Sequence, residues 1–213
     1  MPPTWTAKVR GAPAGSRVAC WSCAGPTAEA QLCPSCGVVL PADLAATPFA
    51  RLGLPVRFDV DEQEMERAWL LRSSKVHPDR FVKRSDRERR FAVEQTAALN
   101  DAKRAVKDPF DRATWLVAYA APAQVAHLDP RLLMSLMEAR ERAQESAAEQ
   151  QLVVDAAVAR FRSLAAELPQ LLSSLSDQPA LAKAQRALAE MKTLARLASD
   201  LGGPALIAGI DLR

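Results

Sequence analysis

The chain has 213 residues, of which 25% are charged and 49% hydrophobic, and its net charge is only +3. This composition is typical of a soluble globular protein with one large domain or two to three small ones. The near-neutral charge gives no global case for nucleic acid as a partner, although local basic patches must be judged separately, and no apolar run approaches the roughly 20 residues needed to cross a bilayer. The N-terminus also lacks the apolar core of a secretory signal.

Residues 1–19 are rich in Pro, Gly and Ala and show no hydrophobic period, so they are predicted to be a disordered tail. Three basic residues, Lys8, Arg10 and Arg17, precede the first acidic residue, Glu29. A short mitochondrial presequence, and with it a location in the mitochondrial matrix, therefore stays open. The abundance of Ala and Arg along the chain favours a bacterial cytoplasm instead.

The four cysteines form two Cys-x-x-Cys pairs, Cys20 with Cys23 and Cys33 with Cys36, nine residues apart. Two such pairs complete the tetrahedral four-sulfur shell of a structural Zn²⁺ site. Metal binding would supply the folding free energy of so short a module, predicted over residues 20–42. Two labile disulfides or a redox-active pair are the alternatives. A closed four-thiolate shell and the lack of a catalytic constellation argue against a zinc enzyme.

The rest of the chain is predicted to be almost wholly helical. Capping signals mark the expected helix starts at Thr47-Pro48, Asp59 with Glu62, Ser85 with Glu88, Asp108-Pro109 and Asp129-Pro130. The second helix should end at His77, because Pro78 disfavours a helical residue before it.

Two long helices are predicted near the C-terminus. The first runs from about Gln150 to Ser174 with a kink at Pro169. Its apolar face is predicted to comprise Leu152, Ala156, Phe161, Leu164 and Leu168. The second starts at Pro179 and ends at Gly202-Gly203, and residues 204–213 form a short tail.

The tripeptide His77-Pro78-Asp79 lies between the second and third predicted helices. Alone, it fits a helix-ending proline between polar residues. Its surroundings, residues 71–81 (LRSSKVHPDRF) and 98–102 (ALNDA, with Asn100), resemble the J-domain, in which His-Pro-Asp lies at the tip of a two-helix hairpin. The other histidine, His127, is interpreted as an ordinary linker residue.

The J-domain resemblance implies that this loop engages an ATP-bound DnaK-type chaperone and promotes its ATP hydrolysis. The implied contact residues are His77, Pro78, Asp79, Arg72 and Lys75. Asp79 would offer a carboxylate to an arginine of the chaperone, and the basic face of the second helix would steer an acidic surface. The ATP chemistry would belong to the chaperone, so the chain itself is expected not to be an enzyme.

Further stretches are similar to HscB, the iron–sulfur co-chaperone family: residues 49–55 (FARLGLP), 108–116 (DPFDRATWL) and 133–141 (LMSLMEARE). The resemblance covers about residues 47–200, and the cysteine module resembles that of animal HscB proteins. It implies a mostly α fold: the zinc module, a J-domain over 47–121, a linker over 122–129 and a C-terminal three-helix bundle over 130–203. The implied partners are an HscA-like chaperone and the iron–sulfur scaffold protein IscU.

Residues carried over by position to the IscU-binding helix are Leu133, Met134, Met137, Glu138 and Glu141. Helical spacing places all five on one stripe, and methionines suit adaptable contacts. The alternative is that Leu133 and Met137 belong to the core of the bundle. The family also uses an aromatic residue on the last helix, where this chain offers only Met191 or Leu194.

Two other functions stay open at this point. The chain could be a J-domain co-chaperone for a different client. It could also be a zinc-ribbon nucleic-acid-binding protein that uses the basic cluster Arg84, Arg87, Arg89 and Arg90. The oligomeric state and the identity of the DnaK-type partner do not follow from the sequence.

Overall fold

The computed structural model describes residues 19–27, 30–121 and 128–207. Within these ranges the protein has seven α-helices and one 3-10 helix, and β-type pairing is limited to two isolated bridges, Ala19 with Pro26 and Leu32 with Val39. This confirms the prediction of a mostly α fold. No helix in these ranges is long and apolar enough to cross a bilayer. The predicted tail up to residue 18, residues 122–127 of the linker with His127, and residues 208–213 lie outside the described residues.

The helices are α1 (Pro48–Leu52), α2 (Glu62–Val76), a 3-10 turn (Pro78–Phe81), α3 (Asp86–Lys107), α4 (Pro109–Ala120), α5 (Pro130–Arg142), α6 (Ala147–Leu172) and α7 (Gln178–Asp200). The predicted N-caps Thr47, Asp108 and Asp129 each accept hydrogen bonds from the first turn of their helix. The chain divides into two compact units, one ending at Lys107 and the other beginning at Asp108.

Some predicted helix starts were wrong by a few residues. Asp61, not Asp59, caps α2, because its Oδ1 accepts from the backbone N–H groups of Gln63 and Glu64. Ser146 caps α6, which therefore starts three residues before the predicted Gln150. For α2, the second capping residue Asp61 lies two positions after the predicted Asp59, and sequence alone does not rank the two. For α6, no capping residue was predicted.

In the first unit, α1 packs on α3, and α2 lies beside α3 as a hairpin. The core is formed by apolar side chains that are almost completely buried, including Phe49, Leu52, Met65, Val76 and Leu99. The predicted capping box at the start of α3 is present: Glu88 accepts from the backbone N–H and the hydroxyl of Ser85, and the Ser85 hydroxyl accepts from the N–H of Glu88. This box fixes where the hairpin turn ends and α3 begins.

In the second unit, α6 and α7 form an antiparallel pair, linked by Arg160 to Glu190 and by the Gln150 amide donating to the carbonyl of Leu201. Helix α4, which the sequence placed at the end of the J-domain range 47–121, packs against α6 and α7. Its buried face, Phe110, Ala113, Leu116 and Val117, supplies the apolar area for this packing. The second unit therefore contains four helices, with α5 lying on α6.

The predicted apolar face of α6 was partly wrong. Leu152 is 61% exposed and Ala156 is also exposed, whereas Phe161, Leu164 and Leu168 are buried as expected. The first half of the buried face consists of Val153, Val154, Ala157 and Val158. Apolar residues occupy nearly every position there, so the sequence does not fix the rotational setting of the helix. The helix continues through Pro169 to Leu172.

Candidate partner-binding sites and metal centre

The His-Pro-Asp loop lies at the exposed tip of the α2–α3 hairpin. His77 ends α2, and its Nδ1 accepts a long hydrogen bond of 3.4 Å from the backbone N–H of Asp79. The Asp79 side chain is 86% exposed and that of His77 54%. Buried Phe81 anchors the other end of the turn. The turn therefore presents the Asp79 carboxylate outward, as contact with another protein would require.

Two arginines that the sequence analysis did not assign to the loop hold its backbone. Nη1 of Arg80 donates to the carbonyl of Ser74 in the last turn of α2 at 2.9 Å. Nη1 of Arg89, in the first turns of α3, donates to the carbonyls of Val82 and Arg84 at 3.3 and 3.2 Å. Both ends of the loop are thus fixed to the helices that flank it, which limits the number of orientations open to Asp79.

The two helices of the hairpin are joined by polar contacts along their length. The indole Nε1 of Trp69 donates to Oδ1 of Asn100 at 3.2 Å. Nζ of Lys103 lies 3.6 Å from the centroid of the Trp69 ring and 2.7 Å from Oε1 of Glu66. Asn100, singled out in the sequence by its resemblance to the J-domain, therefore aligns α3 against α2.

The predicted basic residues on α2 differ in their surroundings. Lys75 is exposed, whereas Arg72 is partly buried and its guanidinium lies against Gly53. A Cβ placed on Gly53 would come within 1.8 Å of Nη2 of Arg72, and the φ angle of Gly53, 66°, also favours glycine. Arg72 thus packs the end of α1 against α2 with part of its side chain.

The predicted scaffold-binding stripe of α5 is exposed. Leu133, Met134 and Met137 are 43%, 58% and 61% exposed, and Glu138 and Glu141 are exposed too. The opposite side of α5 carries the partly buried residues Leu132, Leu136 and Ala139. These exposed fractions exclude the alternative that Leu133 and Met137 form core. The stripe is an apolar patch with acidic side chains beside it.

The four cysteines, all within the described residues, are unpaired and close together. Their sulfurs lie within 4.8 Å of one another, and the pairs Cys20–Cys36 and Cys23–Cys33 are 3.7 Å apart. A tetrahedral four-sulfur shell with Zn–S bonds of about 2.3 Å requires sulfurs about 3.8 Å apart, whereas a disulfide requires about 2.0 Å. The donor set therefore fits a metal ion and not two disulfides.

The local backbone explains how each cysteine pair forms a turn. The residue after each second cysteine, Ala24 or Gly37, has a positive φ angle of 56° or 74°. Its N–H donates to the carbonyl of the first cysteine of the pair, Cys20 or Cys33. The two turns have the same hydrogen-bond pattern, so each directs its two sulfurs to the same side.

The ionisation of the thiols also favours a cation at this site. The backbone N–H of Cys36 is the main cause that lowers the pKa of Cys33, to about 6. The backbone N–H of Gly25 lowers the pKa of Cys23, but the neighbouring thiols, that of Cys36 above all, outweigh it and raise this pKa to about 12. Four crowded sulfurs therefore do not all ionise unless a cation balances their charge, as a bound divalent metal would.

The cysteine module is docked on α3, which the sequence analysis missed. The ring of Trp21 meets that of Phe91 edge-on, with centroids 6.0 Å apart. The buried amide of Gln95 donates to the carbonyls of Leu40 and Pro41 at 3.0 and 3.2 Å. Two features of the sequence could have indicated this docking: a tryptophan between two cysteines and a glutamine on the apolar face of a predicted helix. Neither feature indicates which residue the side chain contacts.

The sequence is similar to those of several known co-chaperones. A co-chaperone protein HscB homolog from Burkholderia multivorans is 31% identical over 154 residues, which cover 70% of this chain and 88% of that protein. One from Cupriavidus taiwanensis is 39% identical over 126 residues, which cover 57% and 68%. This chain belongs to the HscB co-chaperone family. A third HscB homolog, from Bordetella petrii, is 40% identical over 102 residues, but the match spans only 60% of that relative's length. No protein-family model matches the sequence.

Two solved HscB structures have a similar fold. Human HscB superposes with a TM-score of 0.58 at 23% identity, over 86% of this chain and 97% of that one. HscB from Vibrio cholerae gives 0.57 at 29% identity, over 74% and 96%. At 23% identity the human structure supports the fold alone.

One expectation about the HscB client site is not met. Met191 and Leu194 were the candidates to replace the family's aromatic residue on the last helix, yet they are 0% and 4% exposed. Both belong to the face of α7 that packs in the second unit. They therefore do not offer an exposed apolar contact beside the stripe of α5.

Proposed function

We propose that this HscB-family protein is a J-domain co-chaperone that engages an ATP-bound DnaK-type, HscA-like chaperone and accelerates its ATP hydrolysis. The observation that carries the proposal is the exposed carboxylate of Asp79, displayed on a loop that Arg80 and Arg89 hold at both ends. This carboxylate can form a charge-assisted hydrogen bond with an arginine of the chaperone. His77 and Pro78 shape the turn, and Lys75 and Arg72 add positive charge along α2.

The proposed client is the iron–sulfur scaffold protein IscU, bound by the exposed stripe Leu133, Met134, Met137, Glu138 and Glu141. Support comes from three exposed apolar side chains on a helix whose other side packs in the unit. Flexible methionines adapt to a partner surface, and the acidic neighbours suit basic groups on it. The protein would then act as an adaptor that brings IscU to the chaperone and aids iron–sulfur cluster assembly and transfer.

The proposed metal is a structural Zn²⁺ held by Cys20, Cys23, Cys33 and Cys36. When bound, zinc supplies the cross-link that holds the two cysteine turns together. The thiolates supplied by this chain complete the coordination shell, so the site would serve stability and not catalysis.

The remaining parts of the proposal follow from the relatives. The curated relatives are co-chaperones, so we propose that the chain hydrolyses no ATP itself. They are bacterial, which supports the cytoplasmic location expected from the sequence. The nucleic-acid alternative loses support because Arg87 stacks on Trp21, Arg89 binds the loop and Arg90 pairs with Glu94.

The experiment that tests this function measures ATP hydrolysis by an HscA-like chaperone with this protein, in the presence and absence of IscU. We expect stimulation by the protein alone and a further increase with IscU. The double variant Met134→Glu/Met137→Glu should lose the IscU-dependent increase and retain the stimulation seen without IscU. Leu152→Glu, an equally exposed apolar position on α6, is the matched control and should retain both.

The possible outcomes separate the proposed client from the proposed chaperone activity. If the double variant still binds IscU and shows the full increase, IscU does not bind at this stripe. If the wild-type protein stimulates the chaperone but IscU adds nothing, the protein serves a different client. Failure of the wild-type protein to stimulate the chaperone would contradict the proposed function itself.

A further inference from the structure

The cysteine module and α3 share one aromatic contact. Trp21 follows Cys20 directly, and its indole Nε1 donates to the carbonyl of Val39 inside the module at 2.8 Å. The same indole ring meets Phe91 of α3 edge-on at an interplanar angle of 70°. Phe91 is 6% exposed, so its ring belongs to the packed surface of the hairpin. One side chain therefore contacts both the metal-binding turn and α3.

A polar contact lies one helical turn further along α3. Gln95 is buried, and its amide donates to the carbonyls of Leu40 and Pro41. Leu40 in turn packs with Cys20 and Cys33 in the small core of the module. The orientation of these two carbonyls depends on that core, so a change at the cysteines is transmitted to the hydrogen bonds of Gln95.

Two arginines of α3 provide a natural comparison. The guanidinium of Arg87 lies 4.6 Å from the centroid of the Trp21 ring and 5.6 Å from that of Phe91, so it bridges the module and α3. The guanidinium of Arg90 lies 5.2 Å from the centroid of the Phe91 ring and pairs with Glu94, both within α3. A stacked guanidinium stabilises such contacts by an amount that depends on how far it is desolvated.

We propose that metal binding at the cysteines and the packing of α3 are thermodynamically coupled through Trp21 and Gln95, so that the metal-loaded module acts as a clamp on the partner-binding hairpin. The module is too short to keep its fold without a metal, so metal loss releases both contacts. Coupling is reciprocal, so an intact α3 must also raise the metal affinity of the module. This inference rests on the metal-binding part of the proposed function and requires neither the chaperone nor the client.

The clamp matters because α3 positions the other half of the hairpin. Arg89, two residues before Phe91, donates to the carbonyls of Val82 and Arg84 in the loop, and Asn100 accepts from Trp69 of α2. Loosening α3 on the module side therefore weakens contacts that set the His-Pro-Asp turn. Metal occupancy would in this way regulate how well the hairpin presents Asp79.

The test uses the full chain and compares hydrogen–deuterium exchange with bound zinc and after chelation. We expect chelation to raise exchange about tenfold in the part of α3 that faces the module, near Phe91 and Gln95, and to leave α6 unchanged as an internal reference. The double variant Arg87→Ala/Gln95→Met should show raised exchange in α3 while zinc is still bound, with little further change on chelation. Arg90→Ala is the matched control and should behave like the wild-type chain.

A second measurement uses the reciprocity of the coupling. Competition with a chromophoric chelator should show that Arg87→Ala/Gln95→Met binds zinc about 5- to 10-fold more weakly than the wild-type chain, although none of its altered residues is a ligand. Because both substitutions lie on α3, a weaker affinity reports the docking and not a damaged metal site. Arg90→Ala should change the affinity less than about twofold.

Two results would overturn the clamp. Exchange in α3 that is indifferent to zinc would do so, as would an unchanged zinc affinity in the double variant. Either result leaves the metal site in place, so the clamp alone would fail. A wild-type chain that binds no zinc would instead remove the metal-binding part of the proposed function, together with the clamp that rests on it.

Discussion

The α2–α3 hairpin and the α6–α7 pair are both built from two adjacent helices, but the hairpin leaves one of its helices much less buried. Within the fully described α6 and α7, nine and ten residues are buried, almost all apolar. In α2, also fully described, only Met65 and Val76 are buried. Its partner α3 has seven buried residues, and the two helices are also joined by polar contacts of Trp69 with Asn100 and of Lys103 with Glu66.

This difference in burial determines how much surface each helix pair leaves free to bind a partner. A pair stabilised by apolar burial uses up its inner surfaces for its own fold. The hairpin leaves seven of the fifteen residues of α2 exposed, including the basic residues Arg67 and Lys75. One side of α2 is thus free for a partner, whereas α3 is contacted by the cysteine module through Trp21 and Gln95.

The largest effect is expected from loss of the metal, which should destabilise the cysteine module and leave the α6–α7 pair intact. Cys33→Ser removes a buried sulfur, so zinc content should fall from about one per chain to a small fraction of that value. Metal analysis after gel filtration measures the loss. Limited proteolysis should show cleavage within residues 30–46 of the variant, while α6 and α7 stay protected. Retention of full zinc would contradict the four-cysteine site.

Acidification offers a second way to remove the metal, with a defined sign. Protons compete with zinc for the thiolates, so zinc affinity should fall as the pH is lowered. The low pKa of Cys33, about 6, lets this sulfur remain ionised at lower pH than an ordinary cysteine. Zinc release that increases on raising the pH from 6 to about 8 would be incompatible with thiolate ligands.

A smaller effect is expected from a core truncation in the α6–α7 pair. Leu168 is fully buried, so Leu168→Ala should lower the free energy of unfolding by about 2–5 kcal/mol. Leu71→Ala on α2, where the side chain is 57% exposed, should change it by less than about 0.5 kcal/mol. Urea denaturation followed by circular dichroism measures both. An equal loss of unfolding free energy in the two variants would contradict the difference in burial between α2 and the α6–α7 pair.

The smallest expected effect tests the polar contacts of the hairpin. Lys103→Met keeps a long apolar side chain but removes the charge over Trp69 and the pair with Glu66, so the free energy of unfolding should fall by about 1 kcal/mol. Lys107→Met, at an exposed position of the same helix, is the control and should be nearly neutral. A Lys103→Met variant as stable as the wild-type chain would show that these contacts do not stabilise the hairpin.

Local signals allowed most of the fold to be predicted from sequence. The Ser85–Glu88 capping box and the two cysteine pairs depend on residues close together in the chain, and the structure contains both. The setting of α6 was missed because its first half is apolar on nearly every side, so that exposed Leu152 looked like core. The packing of α4 on α6 and α7 was also missed, because the apolar face of α4 does not indicate which other helices it contacts.

The candidate site was predicted unevenly for the same reason. Asp79 and the exposed stripe of α5 were found through short motifs whose residues are neighbours on one helix or turn. The contact of Gln95 with Leu40 joins residues 55 positions apart, and no local sequence pattern in either segment indicates that the two are in contact. Long-range contacts of this kind become visible only once the chain is folded.

The measurement that tests the central claim most directly is stimulation of an HscA-like chaperone's ATPase by the Asp79→Asn variant. This substitution keeps the size of the side chain and removes its charge. Because the carboxylate lies exposed at the hairpin tip, stimulation should fall roughly tenfold or more with an unchanged helical circular dichroism spectrum. Asp101→Asn, an exposed acid further along α3, should stimulate like the wild-type chain. Full stimulation by Asp79→Asn would contradict the account.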